Sequence, residues 1–313
     1  MKHKRMKRRD FIGKGIRTAA FYGAAISIPY YSRVFGQNAS PPQAPYDMVA
    51  IKGGEPELMY EKAIEAMGGI GAYVKKGQTV LVKPNIGWDV SPERAGNTNP
   101  GLVKRVIEHC LQAGAKKVYV FDNTCDKWDH CYEHSGIQKA VSDAGATIVP
   151  GNTESYYQEV EIPEGKKLKK TKVHELAMQS DVFINIPVLK SHSSTRMTCA
   201  MKNLMGVVWD RSFWHKNDLH QCIADYSTFS KKPQLNIVDA YRVMMRNGPR
   251  GVSLNDTILM KSMIITTDMV AADAAAAKIF GIDPADVAYI GLADSLGTGT
   301  MKLDQLNIHR IIL

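Results

Sequence analysis

The sequence lacks the short motifs that usually identify nucleotide sites and serine nucleophiles. No Gly-x-Gly-x-x-Gly follows the first predicted strand, and neither Gly-x-x-x-x-Gly-Lys followed by Ser or Thr nor Gly-x-Ser-x-Gly occurs. The nicotinamide-dependent, P-loop and serine-hydrolase classes therefore find no support in the sequence.

Cysteine is sparse, and none of the five cysteines belongs to a Cys-x-x-Cys pair. That pattern argues against a structural zinc knuckle or a local iron–sulfur cluster. Cys125 and Cys131 leave two interpretations open, because they could form a disulfide in an oxidising compartment or bind a metal with their neighbours. The nearby ligand types are Asp129, His130 and His134, and a second such set consists of His215, His220, Cys222 and Asp225.

A surplus of positive charge is also missing once the first 36 residues are set aside. The formal net charge is +9, but residues 1–36 contain nine Lys or Arg and one acidic residue, so subtracting +8 leaves +1. Without a basic surplus or a recognition motif, we expect no nucleic-acid partner.

Residues 1–36 resemble a twin-arginine export signal. They combine a basic start, the segment Arg8-Arg9-Asp10-Phe11-Ile12, an apolar stretch over 18–28 and a small residue at Gly36. Lys7 stands where such signals usually have Ser or Thr. The apolar stretch is shorter than the roughly 20 residues that span a bilayer, and no later segment is long enough, so we expect no stable membrane insertion after cleavage.

This pattern predicts three parts of the chain. They are a signal peptide over 1–36, a Pro-rich spacer over 37–46 and a single domain over 47–313. We predict export by the twin-arginine machinery and a periplasmic or other extracytoplasmic location. Cargo of this route often carries a cofactor, which keeps a divalent metal open as an alternative.

Several hydrophobic runs have the length of a strand and end in polar residues, which is typical of buried parallel strands. The runs end at Lys83-Pro84-Asn85, Asp122, Pro150-Gly151-Asn152, Asn185 to His192, Asp239 and Asp268. Helical patterns over 60–67, 100–113, 137–144, 174–179 and 271–279 alternate with them. The alternation predicts an α/β fold with a mostly parallel sheet flanked by helices, a Rossmann-like layering without the dinucleotide fingerprint. Residues 156–172 interrupt the alternation and predict an exposed hairpin or an insertion at the sheet edge.

Ligands of open α/β sheets bind outside the carboxyl ends of the strands, so the polar residues that end these runs should meet at one edge. We predict that edge to be formed by Lys83, Asn85, Asp122, Lys190, His192, Asp239 and Asp268. A helix is predicted over 193–207, with Met197, Met201 and Met205 in the core. Thr198 and Lys202 would then lie one turn apart near the start of the helix, where free amides favour a carboxylate or phosphate.

The motifs together resemble the family catalogued as domain of unknown function 362, from about residue 79 to 299. The motifs are Val82-Lys83-Pro84-Asn85, Pro187-Val188-Leu189-Lys190-Ser191-His192, Met201-Lys202-Asn203-Leu204-Met205-Gly206, Val238-Asp239-Ala240, Gly248-Pro249-Arg250-Gly251 and Ala272-Asp273-Ala274. Some relatives carry ferredoxin-like cysteine clusters, which this sequence lacks. The resemblance implies roles at the predicted edge and adds Asn203 and His220 to its residues.

We therefore hypothesise an exported enzyme that binds a small anionic substrate and performs acid–base chemistry, with metal assistance left open. The predicted catalytic residues are Lys190, His192, Lys202 and His220, and the predicted substrate-binding residues are Lys83, Asn85, Thr198 and Asn203. The predicted metal ligands are Asp239, Asp273 and His220. The competing hypothesis is a non-catalytic periplasmic protein that binds a metal or anion or assists a redox partner.

Overall fold

A ten-stranded sheet runs through the part of the chain that the computed structural model describes, residues 45–313. The predicted signal peptide and most of the predicted spacer lie outside these residues, so the domain boundaries stay predictions. The strands are β1 (Met48–Lys52), β2 (Thr79–Pro84), β3 (Lys117–Val120), β4 (Thr147–Ile148), β5 (Tyr157–Glu161), β6 (Lys170–His174), β7 (Val182–Ile186), β8 (Val188–His192), β9 (Arg196–Thr198), β10 (Leu235–Met244), β11 (Thr257–Thr266) and β12 (Ile308–Ile312).

The predicted α/β class is confirmed, because most of the strand pairs in this sheet are parallel. The order β12-β1-β11-β10-β7-β2-β3-β4 contains parallel pairs everywhere except on either side of β11. β8 continues from β7, pairs with β10 in parallel and forms a hairpin with β9. β5 and β6 form a separate antiparallel pair, which confirms the predicted hairpin.

Helices cover the sheet on both faces. They are α1 (Pro56–Ala66), α2 (Pro100–Gln112), α3 (Trp128–His134), α4 (Ile137–Asp143), α5 (Glu175–Gln179), α6 (Ala200–Asn203), α7 (Arg211–Lys216), α8 (Leu219–Tyr226), α9 (Met269–Phe280) and α10 (Ala288–Ser295). Apolar side chains of α1 to α4 form one core with alternate residues of the strands, and α9 packs on β10 and β11 outside that core. Among residues 45–313, no helix combines the length and apolar character that crossing a membrane requires.

Alternation along the central strands separates apolar residues from polar ones. Val80 and Val82 of β2 and Ile184 of β7 belong to the core beneath α1 to α4. Successive side chains of a strand point to opposite faces, so Lys83 and Asn185 lie on the other face of the sheet. The fold thereby places polar groups inside the protein on the face that α6 and α9 cover.

Two expectations about local structure were wrong. Residues 263–266 of this run lie in β11, which is antiparallel to its neighbours, so the chain leaves that strand toward the amino-terminal ends of the parallel strands and Asp268 does not follow a carboxyl end as predicted. There it caps α9 by accepting hydrogen bonds from the amides of Val270 and Ala271, at 2.7 and 3.0 Å. A continuous helix over 193–207 is also absent, because residues 196–198 pair with β8 as β9 and the helix begins at Ala200.

Candidate functional site

Three polar side chains lie side by side across the parallel strands at the centre of the sheet. Lys83 of β2 pairs in register with Asn185 of β7, which pairs with Asn236 of β10. All three are buried, and Asn185 Nδ2 donates a hydrogen bond of 2.9 Å to Asn236 Oδ1. The sheet register therefore creates a polar row inside the protein.

Asn203, the last residue of α6, connects this row to the residues that follow β2. Its Oδ1 accepts hydrogen bonds from Lys83 Nζ and from Asn85 Nδ2, both at 2.9 Å. Its Nδ2 donates to Asn185 Oδ1 at 2.8 Å. Because an amide presents one acceptor and one donor group, these bonds determine how the side chain is oriented.

A buried ion pair joins Lys83 to Asp122, which lies two residues after the end of β3. Their Nζ and Oδ1 atoms are 2.8 Å apart, and the two side chains are 1% and 3% exposed. Asp122 Oδ2 also accepts a hydrogen bond of 2.6 Å from the amide of Ile86. Burial lowers the pKa of Lys83, and the carboxylate of Asp122 opposes that shift.

Gly206 is required beside this pair for steric reasons. A Cβ atom at this position would overlap both Asp122 Oδ1 and Lys83 Nζ. Gly206 also accepts a hydrogen bond of 3.0 Å from the amide of Asn123 through its carbonyl oxygen. The glycine that ends the Met201–Gly206 motif thus lets the chain pass directly over the ion pair.

A cavity of about 550 Å³ lies above this network, at the carboxyl ends of β2, β3 and β8. Eight of the residues predicted for the edge or the site line it, namely Lys83, Asn85, Asp122, Lys190, His192, Thr198, Lys202 and Asn203. The lining also includes Trp88, Asn123, Trp209 and Arg211, which were not predicted from the sequence. Arg211 begins the short helix α7, which follows no strand, so the strand-end pattern held no signal for it.

Positive charge dominates the lining of the cavity. Lys83, Lys190, Lys202 and Arg211 face it, together with the carboxylates of Asp122 and Asp210. Within residues 45–313, only Lys83 of the three lysines has a carboxylate oxygen within 4.0 Å of its Nζ. The cavity therefore contains a cationic surface that its own carboxylates do not neutralise.

Lys190 and Lys202 are the unneutralised lysines. Lys190 Nζ donates to Asn85 Oδ1 at 3.1 Å and to the carbonyl oxygen of Gly96, and both acceptors are uncharged. Burial, with help from the charges of Lys202 and Lys83, lowers the pKa of Lys190 to about 7. Burial and the charge of Arg211 lower the pKa of Lys202 to about 8.

Lys202 and Thr198 have polar atoms that the protein leaves weakly bonded. The nearest partner of Lys202 Nζ is the thioether Sδ of Met205 at 3.4 Å, a weak acceptor. Thr198 is 4% exposed, and its Oγ1 has no hydrogen-bond partner among residues 45–313. Buried polar groups normally find partners, so the polar atoms of both side chains have bonding capacity left over.

The two histidines of the cavity differ in their surroundings. His192 Nδ1 accepts a hydrogen bond of 3.1 Å from the amide of Ser194, which leaves Nε2 to carry the proton of the neutral ring. Burial and the charges of Lys202 and Lys190 lower the pKa of His192 to about 3. His192 is therefore neutral near pH 7 and can donate a hydrogen bond without being charged. The pKa of His215 is also lowered, by burial first and then by the same kind of cationic neighbours.

The remaining predicted site residues lie outside the cavity lining. His220 Nε2 is 3.2 Å from the carbonyl oxygen of Ser194, and its ring stacks on Tyr289. Asp239 lies within β10 and accepts hydrogen bonds from the amides of Asn99 and Tyr241.

Asp273 occupies the first turns of α9 and accepts hydrogen bonds from the amides of Ala200 and Met201. It therefore anchors the start of α6, the helix that presents Lys202 and Asn203. Burial raises the pKa of Asp239 to about 6 and that of Asp273 to about 7. That Asp239, Asp273 and His220 bind a metal ion stays a prediction.

Another group in residues 45–313 has the composition of a metal site. It consists of Asp89, His130 and His134, whose ligand atoms lie within 4.8 Å of one another. His130 and His134 belong to one of the two histidine-containing sets noticed in the sequence, but Asp89 was not part of that set. Cys125 and Cys131 of the same set are free thiols in this structure.

Comparisons with known proteins place these features in a family. The sequence model described as Domain of unknown function (DUF362) matches residues 80–278, which extend from β2 into α9. A thylakoid-associated protein of Synechocystis sp. is 27% identical over 242 residues, or 75% of this chain and 73% of that protein.

Among solved structures, a Thermotoga maritima protein aligns with a TM-score of 0.49 and 13% identity, over 73% of this chain and 60% of its own. The lactate racemase apoprotein of Thermoanaerobacterium thermosaccharolyticum aligns with a TM-score of 0.44 and 10% identity, over 68% of this chain and 53% of its own. The chain thus spans less than two thirds of either solved protein.

Replacing Asp122 with Asn tests the ion pair beneath the cavity. The amide keeps the size of the side chain but leaves the ammonium of Lys83 buried without a counter-ion, so we expect a loss of about 3–5 kcal/mol in unfolding free energy. Urea unfolding measures it. Asp143→Asn is the matched control, because its pair with Lys139 is exposed and should contribute little to stability. Equal effects of the two substitutions would contradict the assignment.

Proposed function

The chain belongs to the family described as domain of unknown function 362, and we propose that it is an exported enzyme that performs acid–base chemistry on a small anionic substrate in the cavity. The observation that carries this proposal is the pair of buried amines, Lys190 and Lys202, for which no carboxylate lies within salt-bridge distance among residues 45–313. A buried ammonium without a counter-ion is costly, and an anion in the cavity would supply the missing charge.

Lys202 is the proposed anchor for the anion. Within the described part of the chain, the thioether of Met205 is the only partner of its Nζ, so a carboxylate, phosphate or sulfate oxygen would be a far better acceptor. The unpaired hydroxyl of Thr198, in the strand just before α6, would donate to the same anion. Arg211 lines the cavity as well and adds positive charge.

Lys190 is the proposed acid–base group. Its pKa of about 7 means that both the amine and the ammonium are populated near neutral pH, which is the condition for efficient proton transfer. His192 is neutral at that pH and would serve as a hydrogen-bond donor to the substrate. This assignment gives the proton transfer to Lys190, one of the four residues predicted to be catalytic, and leaves His192 a binding role.

Replacing Lys202 with Met tests the anchor. Sulfate, used as the probe anion, should raise the melting temperature of the unaltered protein, and Lys202→Met should bind it about 10- to 100-fold more weakly because a charge-assisted hydrogen bond is lost. Without sulfate the variant should be no less stable, since an unpaired buried charge has been removed. Titration calorimetry and thermal unfolding measure both effects.

The control for this substitution is Lys139→Met, which removes a lysine whose side chain is 80% exposed on α4. Equal sulfate affinity in Lys202→Met and the unaltered protein would remove Lys202 from the site. A natural anion that binds stoichiometrically and is released unchanged would favour the non-catalytic binding protein instead.

The pH dependence of anion binding provides an independent test. The pKa values of about 7 for Lys190 and about 8 for Lys202 mean that the free protein loses both positive charges as the pH rises through this range. Sulfate keeps a constant charge there, so its affinity should be highest below pH 7 and fall progressively above it. Calorimetry between pH 6 and 9 measures this, and an affinity independent of pH would contradict the proposed roles.

The export part of the proposal rests on Arg8 and Arg9. Replacing both with lysine keeps the charge but removes the arginine pair that such signals contain, so the precursor should accumulate in the cytoplasm instead of reaching the extracytoplasmic fraction. Fractionation and immunoblotting measure the distribution, and Arg5→Lys is the matched control. Unchanged processing of the double variant would show that the arginine pair does not direct export.

A further inference from the structure

Two histidines on α3 point to the same surface of the protein. His130 and His134 are four positions apart on a helix, a spacing that brings side chains together on one face. Their ring centroids are 5.3 Å apart. A pair of histidines with this spacing is a common way for a helix to provide two ligands to one metal ion.

Asp89, in the loop after β2, faces both rings. Its Oδ1 lies 2.5 Å from His134 Nδ1, and its Oδ2 lies 3.4 Å from His130 Nδ1. With Zn–N bonds of about 2.0–2.1 Å and tetrahedral angles, ligand atoms of a zinc site are roughly 3.3 Å apart. The contact with His130 matches that separation, and the one with His134 would have to open by about 1 Å from hydrogen-bond length.

We propose that Asp89, His130 and His134 form a binding site for a divalent late transition-metal ion, with Zn²⁺ as the probe. Two imidazoles and one carboxylate form a ligand set suited to such ions. The side chains of His130 and His134 are 43% and 50% exposed, so an ion can enter from solvent and water can complete its coordination.

Lys127 is a cationic neighbour that opposes the metal. Its Nζ lies 3.2 Å from His130 Nε2 and 3.2 Å from Asp129 Oδ2. The side chain is 65% exposed, so it can turn into solvent at little cost. Removing its charge should therefore strengthen metal binding, which an ordinary Asp–His ion pair would not predict.

The site would connect α3 to a wall of the cavity. Asp89 follows Gly87 and Trp88, which line the cavity, and its amide donates a hydrogen bond of 3.1 Å to Asp126 Oδ2. The carbonyl oxygen of Gly87 accepts hydrogen bonds from the amides of Cys125 and Asp126. A metal bound by Asp89 and α3 would add a further link between this loop and the helix.

Zinc titration of the full chain tests the proposal. After treatment with a chelator, the unaltered protein should bind one equivalent of Zn²⁺ and melt at a higher temperature with zinc than without it. His130→Ala, His134→Ala and Asp89→Asn should each lose this binding and the zinc-dependent stabilisation while remaining folded, as judged by circular dichroism. His309→Ala is the matched control, because His309 stacks on Tyr46 and belongs to no ligand group.

Lys127→Ala should bind zinc more tightly than the unaltered protein. The proposal would be overturned by a protein that binds no zinc, or by a His130→Ala/His134→Ala double variant that keeps the full affinity. It would also be overturned if zinc binding were lost in His215→Ala or Cys125→Ser and retained in the α3 variants, which would place the metal in the cavity.

Discussion

The side-chain amide of Asn203 connects the central sheet to the cavity, and the arrangement of the site depends on it. One end accepts hydrogen bonds from Lys83 and Asn85, and the other donates to Asn185. Asn203 is buried, so these polar groups have little access to water and must satisfy one another. Its hydrogen bonds therefore determine where Lys83 and Asn85 lie relative to the end of α6.

Charge in this protein is neutralised beneath the cavity and left unneutralised within its walls. Asp122 lies beside Lys83, and Gly206 provides the space that their close approach requires. Neither Lys190 nor Lys202 has such a carboxylate in the described range 45–313, and burial lowers the pKa of each amine toward neutrality. A structural ion pair thus lies next to lysines with the properties expected of a functional site.

Much of this site could be predicted from the sequence, because the site lies at the ends of parallel strands. Residues that follow β2, β3 and β8 meet at one edge, since parallel strands end on the same side of the sheet. The same reasoning was wrong for Asp268, because an apolar run does not reveal strand direction and β11 is antiparallel. Arg211 and Trp209 were missed because they lie on chain that contacts the cavity from outside the sheet.

The sequence by itself determined the α/β class, the positions of α1, α2, α4, α5 and α9 and of the central parallel strands, and the identity of the lysines and asparagines at the strand ends. Alternation and helical periodicity are local properties, so they can be seen without the fold. Only the tertiary structure decided which lysine has a counter-ion, that Asp273 binds the start of α6, and that Asp89 faces the histidines of α3. Burial and pairing depend on neighbours distant in sequence, and the pKa values that follow from them depend on those same neighbours.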